Sequence, residues 1–497
     1  MKVEEVNAVS RVDYAVAYPV EKRGDPAELQ YRNERAAHWD TVARWMDSHR
    51  AFGGAYHRRL ADIYGFFIPR QARVLEIGCA QGDLLAGLEP SRGVGIDFSS
   101  EMVARATARY PHLKFVNCDA HELELQESFD FIILSDLVND LWDVQRVFEN
   151  LAGIATSETR LILNFYNRLW ELPLSIARRL GVARPNLHQN WFTVEDVSGL
   201  LGLANFEVIR HREEVLLPLP LPPLSTFANR VLAKLWPFNL VALTHFVVAR
   251  PARQPKKKKP IVSVIVPARN EAGNIPAIFD RITELGSETE LIFVEGGSHD
   301  NTFEVIKAAI AAHPERGCQL LRQSGKGKGD AVRLGFEQAK GDLLIILDSD
   351  LTVPPEDLPR FIDVLSSGKA DFANGSRLVY PMESEAMRFF NLVGNKSFSL
   401  AFSWLLGQPI KDTLCGTKAL WRRDYEAIAK NRSYFGEFDP FGDFDLLFGA
   451  SKLSMKLIDV PIRYRDRRYG ETNIQRWKHG WLLLRMVIFA ARRIKFI

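Results

Sequence analysis

The chain has 497 residues, more than one hydrophobic core usually supports, and therefore predicts two or more domains. Its 46% hydrophobic and 25% charged residues are typical of a globular protein and argue against long disorder. The net charge of +3 gives no reason to expect nucleic acid as a partner. Four cysteines without a Cys-x-x-Cys pair indicate neither a disulfide framework nor a zinc site, and suit a reducing compartment.

Neither a secretory leader nor a membrane-spanning segment is expected. The N-terminus begins with charged residues and has no apolar core of the kind that a signal peptide needs. No apolar run approaches the roughly 20 residues required to cross a bilayer. We therefore expect a cytoplasmic protein, with peripheral contact to the inner face of a membrane as a further option.

Short apolar runs alternate with helical stretches in both halves of the chain, as in parallel sheets covered by helices. Residues before about 71 are predicted to be helical and to form a cap. The strands predicted in the N-terminal half are 73–77, 93–96, 113–116, 129–135, 160–165, 206–210 and 244–248. Those predicted in the C-terminal half are 261–266, 291–295, 319–321, 343–347 and 370–374. The predicted fold class is α/β, with two doubly wound domains.

Two proline-rich segments are predicted to be extended. Residues 251–260 contain three prolines and four consecutive lysines, which favour a stiff, solvated linker between domains 1–250 and 261–497. A nuclear or lipid-binding signal is the alternative for the lysine run. Residues 216–224 alternate leucine with proline, so they suit neither a helix nor a central strand.

A glycine-rich turn follows the first predicted strand. The sequence Glu76-Ile-Gly78-Cys-Ala-Gln-Gly82 allows close approach of the backbone to a ligand. Asp97 ends the next predicted strand, where a carboxylate can accept hydrogen bonds from both hydroxyls of a ribose. Asp119 follows the third strand, where a carboxylate can meet the amine of adenine.

These motifs make residues 71–250 resemble the class I S-adenosylmethionine (SAM)-dependent methyltransferases, although Ala80 stands where the family often has a glycine. An NAD-binding domain is the alternative, but it prefers a tighter G-x-G-x-x-G turn. The resemblance implies a SAM site lined by Glu76, Gly78, Gly82, Asp97, Asp119 and Ser135. Candidates for the methyl-acceptor side are Asp136, Asp140, His188 and Trp191, and His188 is equally well explained as a surface residue. The methyl acceptor itself stays open.

The second half carries the acid pair Asp348-Ser-Asp350 at the end of an apolar predicted strand. Two carboxylates at a strand end can share a hard divalent cation, which neutralises a diphosphate. This pair alone is a common pattern, but three motifs accompany it in order. They are Val266-Pro-Ala-Arg-Asn-Glu271, Val294-Glu-Gly-Gly-Ser-His-Asp-Asn-Thr302 and Gly325-Lys-Gly-Lys-Gly-Asp-Ala331.

Together these motifs make residues 261–497 resemble the inverting family 2 glycosyltransferases of the GT-A fold, with Glu295 in place of the usual aspartate. The resemblance implies that Asp348 and Asp350 hold Mg²⁺ or Mn²⁺ against the diphosphate of a UDP- or GDP-sugar. Residues implied to surround the base and ribose are Pro267, Asn270, Glu271, Glu295 and Asp300. Lys326 and Lys328 either assist at the nucleotide or belong to a solvated face.

Later motifs resemble the dolichyl- and polyprenyl-phosphate sugar transferases: Asn374-Gly-Ser-Arg377, Asp412–Lys418 and Arg468–Asn473. This branch implies a polyprenyl phosphate or a lipid-linked glycan as acceptor. Arg377, Lys418 and Arg468 would then face phosphates, a role suited to fixed cations. The donor sugar stays open, because Asp348-Ser-Asp-Leu-Thr352 departs from the D-A-D-L-Q that is common among the mannosyltransferases.

A second acid cluster lies at 438–445. Asp443, and after it Asp445, are candidates for the general base that deprotonates an acceptor hydroxyl. A phosphate acceptor is already ionised and needs no base, in which case these acids position loops or metal. The structural alternative is that both acids lie at a helix N-terminus, where the helix dipole stabilises them, and have no catalytic role.

Residues 387–406 and 479–497 are amphipathic, and they suit helices lying in a membrane interface as well as ordinary docking helices. We predict a bifunctional enzyme that joins SAM-dependent methyl transfer to metal-dependent, inverting sugar transfer. The alternative is a glycosyltransferase whose N-terminal domain binds SAM for regulation only. Methylation of nucleic acid is disfavoured, because the first half lacks an NPPY-type motif and a basic stripe.

Overall fold

The computed structural model describes residues 26–48, 54–180, 187–380, 389–434, 444–465, 467, 469 and 476–497. Within these ranges, each half of the chain contains one seven-stranded sheet. Both sheets are mixed and are covered by helices, which confirms the predicted α/β class. Among the helices of these described ranges, none is both long and apolar enough to cross a bilayer.

The N-terminal sheet has the order β3-β2-β1-β4-β5-β7-β6, with β7 antiparallel to both of its neighbours. Its strands are β1 (Arg73–Ile77), β2 (Arg92–Asp97), β3 (Lys114–Asn117), β4 (Phe131–Ser135), β5 (Arg160–Tyr166), β6 (Phe206–Glu214) and β7 (Thr244–Pro251). The helices of this half are α1 (Pro26–Ser48), α2 (Gly54–Phe67), α3 (Asp83–Gly87), α4 (Ser100–Arg109), α5 (Val144–Ile154), α6 (Glu171–Arg179), α7 (Val194–Leu203) and α8 (Leu224–Arg230). All seven predicted strands are present, and the last two are longer than predicted.

The C-terminal sheet has the order β10-β9-β8-β11-β13-β12-β14, with β13 antiparallel to both of its neighbours. Its strands are β8 (Ile261–Ala268), β9 (Glu288–Glu295), β10 (Gly317–Arg322), β11 (Leu343–Ile346), β12 (Phe372–Ser376), β13 (Lys418–Trp421) and β14 (Leu457–Pro461). The helices are α9 (Ile275–Arg281), α10 (Thr302–Ala312), α11 (Lys328–Gln338), α12 (Leu358–Ser366), α13 (Phe389–Leu406), α14 (Arg422–Lys430), α15 (Phe444–Lys452) and α16 (Arg476–Ala490). The prediction missed β13 and β14, which are not continuous apolar runs, because the first contains Lys418 and the second contains Asp459.

The central strands of both sheets are apolar on both faces. Leu75, Ile133 and Leu163 are fully buried in the first sheet, and Val264 and Ile345 are fully buried in the second. Helices on both sides of a parallel sheet remove it from water, which explains why these strands are continuous apolar runs. The carboxyl ends of the parallel strands are left free to carry polar groups.

The two halves pack against each other and are not joined by the linker alone. The backbone N–H of Lys256 donates to Ser366 O at 2.9 Å, and its Nζ lies 3.4 Å from the centroid of the Trp421 ring. Residues 257–259 are exposed, as expected for a solvated segment. Elsewhere Arg59 NH1 of α2 donates to the backbone oxygen of Ile497 at 2.6 Å. The linker is therefore anchored at Lys256 by contacts that its composition does not reveal.

Candidate active sites

The glycine-rich turn of the first sheet requires its two glycines. Gly78 and Gly82 have φ values of +72° and +80°, in the region that disfavours residues with a Cβ. A Cβ on Gly82 would lie 2.6 Å from Cζ of Phe115. Ala80 also has a positive φ, +46°, so the turn tolerates alanine where the related family often has a third glycine.

Two buried carboxyl groups lie at this turn. Asp97, at the end of β2, accepts the backbone N–H groups of Ala80 and Ser99, both at 2.9 Å. Burial raises the pKa of Asp97 to about 6 and that of Glu76 to about 8. Oε2 of Glu76 has no hydrogen-bond partner among the described residues. The turn thus holds a fixed acid and a second buried carboxyl group with unused capacity to accept hydrogen bonds.

Helix α1 covers the carboxyl edge of the first sheet. Nε of its Arg32 lies 2.7 Å from Oδ2 of Asp119, and Nε1 of Trp39 donates to Oδ2 of Asp140 at 2.8 Å. Asp40 of the same helix accepts a hydrogen bond from the hydroxyl of Ser99. These contacts tie α1 to the loops after β2, β3 and β4, so the helix forms a cap over the glycine-rich turn.

Asp119 and Asp140 are therefore engaged by the protein itself. The other oxygen of Asp119 accepts from Nδ1 of His121 at 2.6 Å. Asp140 also accepts from Nε of Arg35 at 3.3 Å. The same arginine donates to the backbone oxygen of His188, whose side chain is exposed. A nucleotide that reaches Asp119 would share this carboxylate with Arg32 or displace it.

Asp136 forms a polar cluster beyond the end of β4, next to the half-buried Ser135. Its Oδ1 accepts from the hydroxyl of Tyr56 at 2.8 Å and from Nδ2 of Asn164. Burial, and after it the negative charge of Asp136, raise the pKa of Tyr56 well above its usual value, so the phenol stays protonated and donates. Asp136 has a φ of +52°, a strained conformation of the kind that clusters at functional sites.

Tyr56 and Asn164 are not among the residues that the sequence motifs predict for this site. Asn164 had a recognisable signal, because it is the one polar residue within the run Leu161-Ile-Leu-Asn-Phe165 of β5. Tyr56 had none, since it lies on α2, far from the motifs in sequence. Trp191, a candidate for the acceptor side, is half-buried with its ring 6.5 Å from that of Tyr166.

In the second sheet, both acids of the Asp-Ser-Asp motif bind side-chain cations. Nζ of Lys328 lies 2.5 Å from Oδ1 of Asp348, and NH2 of Arg467 lies 2.7 Å from Oδ2 of Asp350. Burial would raise the pKa of Asp348, but the positive charges of Lys328, Lys418 and Arg377 together hold this pKa below the usual value. Both aspartate side chains thus lie next to positive charge.

These two carboxylates suit a divalent cation by their chemistry. Mg²⁺ and Mn²⁺ prefer oxygen ligands, and Mg²⁺ is often held by one or two carboxylates together with substrate phosphates. Within the described part of the chain, no three acid, histidine or cysteine side chains converge on one point. A cation at Asp348 and Asp350 would take its remaining ligands from the diphosphate and from water.

Hydrogen bonds join the ends of β8, β9 and β11 into one rim. The carbonyl oxygen of Pro267 accepts from Oγ of Ser349 at 2.8 Å. Oδ1 of Asn270 accepts from the backbone N–H of His299 at 2.8 Å. The acids Glu271, Glu295 and Asp300 lie in the same loops. The carboxyl groups of Glu295 and Asp300 accept from the backbone N–H groups of Ser298 and Thr302, respectively. The backbone N–H of Glu271 donates to Oγ1 of Thr302. The structure therefore brings all five predicted nucleotide-binding residues together.

The predicted phosphate-binding cations differ in their surroundings. Arg377 makes a bidentate pair with Asp412, with Nε–Oδ2 and NH2–Oδ1 distances of 2.6 and 2.8 Å. Lys418 is fully buried and donates to the backbone oxygen of Cys415. Lys326 is exposed on the turn before α11. Arg468 lies outside the described residues.

The predicted general bases are only partly described. Asp443 lies outside the described residues. Asp445 is 9% exposed at the start of α15, with Nε of Arg432 at 3.3 Å and NH1 of Arg333 at 3.9 Å. The carboxyl group of Asp445 is thus engaged by two guanidinium groups of the protein.

Arg467 belongs to this site although no sequence motif predicts it. Its guanidinium group lies between Asp350 and Glu271, at 2.7 and 3.5 Å. The run Arg465-Asp-Arg-Arg468 contains three arginines, and sequence alone gives no reason to prefer one of them.

Comparison with known families assigns both halves of the chain. The profile described as "Methyltransferase domain" matches residues 46–211, and the one described as "Glycosyl transferase family 2" matches residues 263–428. The chain joins a methyltransferase domain to a glycosyltransferase family 2 domain. Both resemblances expected from the motifs are confirmed.

Curated relatives match the glycosyltransferase half. An undecaprenyl-phosphate 4-deoxy-4-formamido-L-arabinose transferase of Aeromonas hydrophila is 28% identical over 218 residues, which are 43% of this chain and 62% of the relative. A dolichol-phosphate mannosyltransferase of Pyrococcus furiosus is 31% identical over 221 residues, 43% of this chain and 59% of the relative. The chain thus spans about three fifths of the length of these relatives.

Solved structures resemble each half at low identity. A glucosyl-3-phosphoglycerate synthase of Mycobacterium tuberculosis, in complex with Mn²⁺ and UDP, is 20% identical with a TM-score of 0.36, and the match covers 47% of this chain and 80% of that one. A magnesium protoporphyrin IX methyltransferase of Synechocystis, with bound SAH, is 17% identical with a TM-score of 0.27, covering 46% and 89%. These scores are too low to carry a functional inference.

Proposed function

We propose that the chain is a bifunctional enzyme with two domains, residues 1–250 and 261–497. The first transfers a methyl group from SAM. The second transfers a sugar, with inversion, from a UDP- or GDP-sugar to polyprenyl phosphate or a lipid-linked glycan. The observation that carries this proposal is that Asp97 and Asp348 each lie at the carboxyl end of a central strand, the edge where ligands bind in open α/β sheets.

For sugar transfer, a cation bound by Asp348 and Asp350 would stabilise the charge that develops on the leaving diphosphate. Lys328 and Arg467 add positive charge at the same place. The rim around Asn270 orients the nucleotide, so that the anomeric carbon faces the acceptor for in-line attack. The names of the two curated relatives, which act on undecaprenyl phosphate and dolichol phosphate, support a lipid phosphate as acceptor.

The nature of the acceptor decides which side chains take part. An ionised phosphate attacks without a general base, and Arg377, Lys418 and Arg468 would then orient it. A hydroxyl acceptor needs a base, for which Asp443 is the first candidate and Asp445 the second. The two arginines beside Asp445 already engage its carboxyl group, which counts against Asp445 as the base.

For methyl transfer, the SAM sulfonium makes the methyl carbon electrophilic, and the protein has to position the acceptor in line with it. Asp97 would bind the ribose, and Oε2 of Glu76, which has no hydrogen-bond partner among the described residues, lies at the same turn. Asp136 is held by Tyr56 and Asn164 on the side that the acceptor approaches. A carboxylate in this position accepts the proton that an acceptor hydroxyl or amine loses.

Titration calorimetry with SAM and with a panel of nucleotide-sugars, followed by transfer assays with radiolabelled donors, tests the proposal. We expect binding of SAM and of one nucleotide-sugar, and label transferred from each. SAM binding without methyl transfer to any acceptor tried would favour the regulatory alternative for the first domain. Failure of the whole nucleotide-sugar panel to bind would overturn the second activity.

We also propose that the protein works at the cytoplasmic face of a membrane, held there in part by α16. Trp481, Leu484 and Ile488 are 64%, 42% and 47% exposed, and their spacing of three and four residues places them on one side of this helix. Met486 on the other side is fully buried, so substitutions suit a test better than truncation. Flotation with vesicles should show weaker binding of Trp481→Ser/Ile488→Ser than of the wild type, and equal recovery would contradict the idea.

A further inference from the structure

An apolar surface on the N-terminal domain lies outside both candidate active sites. More than half of the large apolar side chains that are exposed, among the residues described, fall within residues 169–180 and 219–241. The exposed fraction of Trp236 is 79%, the highest of them, and that of Leu172 is 74%. Clusters of this kind on a protein surface mark contacts with other molecules. We call residues 169–180 and 219–241 the Leu/Pro surface.

The two stretches of the Leu/Pro surface are neighbours in space. Nε1 of Trp170 donates to the backbone oxygen of Val241 at 3.0 Å. Nδ2 of Asn167 donates to the backbone oxygen of Leu240 at 3.1 Å. The start of α6 and the end of the second stretch are thus fixed side by side.

The second stretch is held in shape by polar groups that point inward. Oδ1 of the buried Asn229 accepts from the backbone N–H groups of Leu216 and Leu217, at 2.8 and 2.7 Å. Nζ of the buried Lys234 donates to the backbone oxygen of Glu213 at 2.7 Å. An ordinary surface loop turns its polar side chains to water, but here they satisfy the backbone while the leucines, Trp236 and Phe238 face outward.

The charges of the Leu/Pro surface are mostly positive. Its one acid is Glu171, at the start of α6, and the sequence contains no aspartate or glutamate in residues 172–194 or 215–270. Arg168, Arg179 and Arg230 are exposed within or beside the two stretches. Apolar side chains bordered by arginines match the acyl chains and anionic headgroups of a bilayer. A second copy of this chain suits the surface less well, because a twofold contact would place the arginines of both copies together.

The Leu/Pro surface continues into the glycosyltransferase domain. Nε1 of Trp404 on α13 donates to the backbone oxygen of Lys234 at 3.2 Å, and Nζ of Lys495 donates to the backbone oxygen of Trp404 at 2.9 Å. Leu400, one turn before Trp404, is 73% exposed. Apolar groups of both domains are therefore available to the same partner.

We infer that the Leu/Pro surface seats the methyltransferase domain on an anionic lipid bilayer. The inference goes beyond the proposed function, because it gives this domain a membrane contact of its own, whatever its methyl acceptor. Trp236 and Phe238 enter the interface between headgroups and acyl chains, where aromatic side chains are favoured. The exposed arginines stay at the level of the headgroups.

Flotation of the full chain with vesicles tests the inference. One set of vesicles contains phosphatidylglycerol and phosphatidylcholine, and the other contains phosphatidylcholine alone. We expect Trp236→Ser/Phe238→Ser to weaken binding to the anionic vesicles roughly tenfold or more, since two large apolar side chains no longer enter the bilayer. The matched control Leu29→Ser/Leu203→Ser, which also replaces two exposed apolar residues, should bind like the wild type. Binding of the wild type to phosphatidylcholine alone should be weaker.

Two results would overturn the inference. The first is equal vesicle binding by both double variants, or no binding by the wild type. The second is a concentration-dependent dimer in sedimentation velocity that Trp236→Ser/Phe238→Ser abolishes, because the surface would then bind a second copy of the chain. These vesicles contain no polyprenyl phosphate, SAM or nucleotide-sugar, so the outcome is separate from that of the proposed activities.

Discussion

Arg250 and Asp371 form an ion pair that is completely buried between the two domains. NH1 of Arg250, on β7, lies 2.7 Å from Oδ1 of Asp371, and neither side chain is exposed to solvent. Arg160 and Arg253 bind the same carboxylate. Burial alone would raise the pKa of Asp371, but the three guanidinium groups hold it below its usual value. The methyltransferase domain and the linker thus supply the positive charges that neutralise a buried acid of the glycosyltransferase domain.

Replacing Asp371 should destabilise the whole chain. Asp371→Asn leaves three arginines close together without their counter-charge, which costs about 3–5 kcal/mol when one partner of a buried ion pair is removed. Calorimetric unfolding should show a lower transition temperature, or two separate transitions for the two domains. Glu158→Gln is the matched control, because Glu158 pairs with Arg253 at the exposed rim and should contribute less than about 1 kcal/mol. Similar losses for both variants would contradict this account.

The stability conferred by Glu76→Gln should depend on pH. The pKa of Glu76 is raised to about 8 in the folded protein, so the folded state binds its proton more tightly than the unfolded state does. Wild-type stability is therefore lost as pH rises from the ordinary glutamate range through about 8. Glutamine is uncharged throughout this pH range, so the variant does not lose stability in this way. Thermal unfolding should show that the variant gains stability over the wild type from pH 5 to pH 9, whereas the exposed control Glu89→Gln should show no such trend.

The two active sites should fail independently. Asp348→Asn or Asp350→Asn should lower sugar transfer by at least about a hundredfold, because the leaving diphosphate loses electrostatic stabilisation. SAM binding, measured by calorimetry, should remain. Asp97→Ala should abolish SAM binding and leave sugar transfer intact. If a folded variant of either kind loses both activities, the sites are coupled and this prediction is wrong.

Arg467→Gln should strengthen binding of Mn²⁺ in the absence of nucleotide. The guanidinium group lies 2.7 Å from Asp350 and competes with a cation for the same carboxylate. A charged hydrogen bond of this kind corresponds to a change of about tenfold in affinity. Titration of Mn²⁺ by electron paramagnetic resonance measures it. Arg465→Gln removes an exposed arginine two residues away and should leave the affinity unchanged; weaker binding by Arg467→Gln would refute the competition.

Gly82→Ala should weaken SAM binding and destabilise the first domain. The backbone φ of +80° disfavours alanine, and the new Cβ would lie 2.6 Å from the Phe115 ring. The strain amounts to about 1–3 kcal/mol. Gly87→Ala is the control, because no atom lies within 4 Å of its added Cβ. Chemical denaturation should show a lower free energy of unfolding, and SAM titration a lower affinity, for Gly82→Ala than for Gly87→Ala. Equal stability and affinity of the two variants would contradict the proposed role of the turn.

The fold was largely predictable because its strands are buried on both faces. Apolar runs such as 343–347 stand out in the sequence, and the acids that follow them lie at the predicted edge. The strands β13 and β14 were missed because Lys418 and Asp459 interrupt their apolar character and their pairing is set by distant neighbours. The linker at 251–260 was predicted from its own composition, which contains no information about Trp421 or Ser366.

The sequence by itself determined which residues lie at the two strand ends proposed to bind ligands, since Gly78, Gly82, Asp97, Asp348 and Asp350 are local features of those ends. Only the tertiary structure decided which cations neutralise these acids, because Lys328, Arg467 and Arg32 come from other parts of the chain. It also decided that the two domains share a buried ion cluster and that the Leu/Pro surface stays exposed. Burial and charge pairing depend on which distant segments meet, and that information is not present in any one segment.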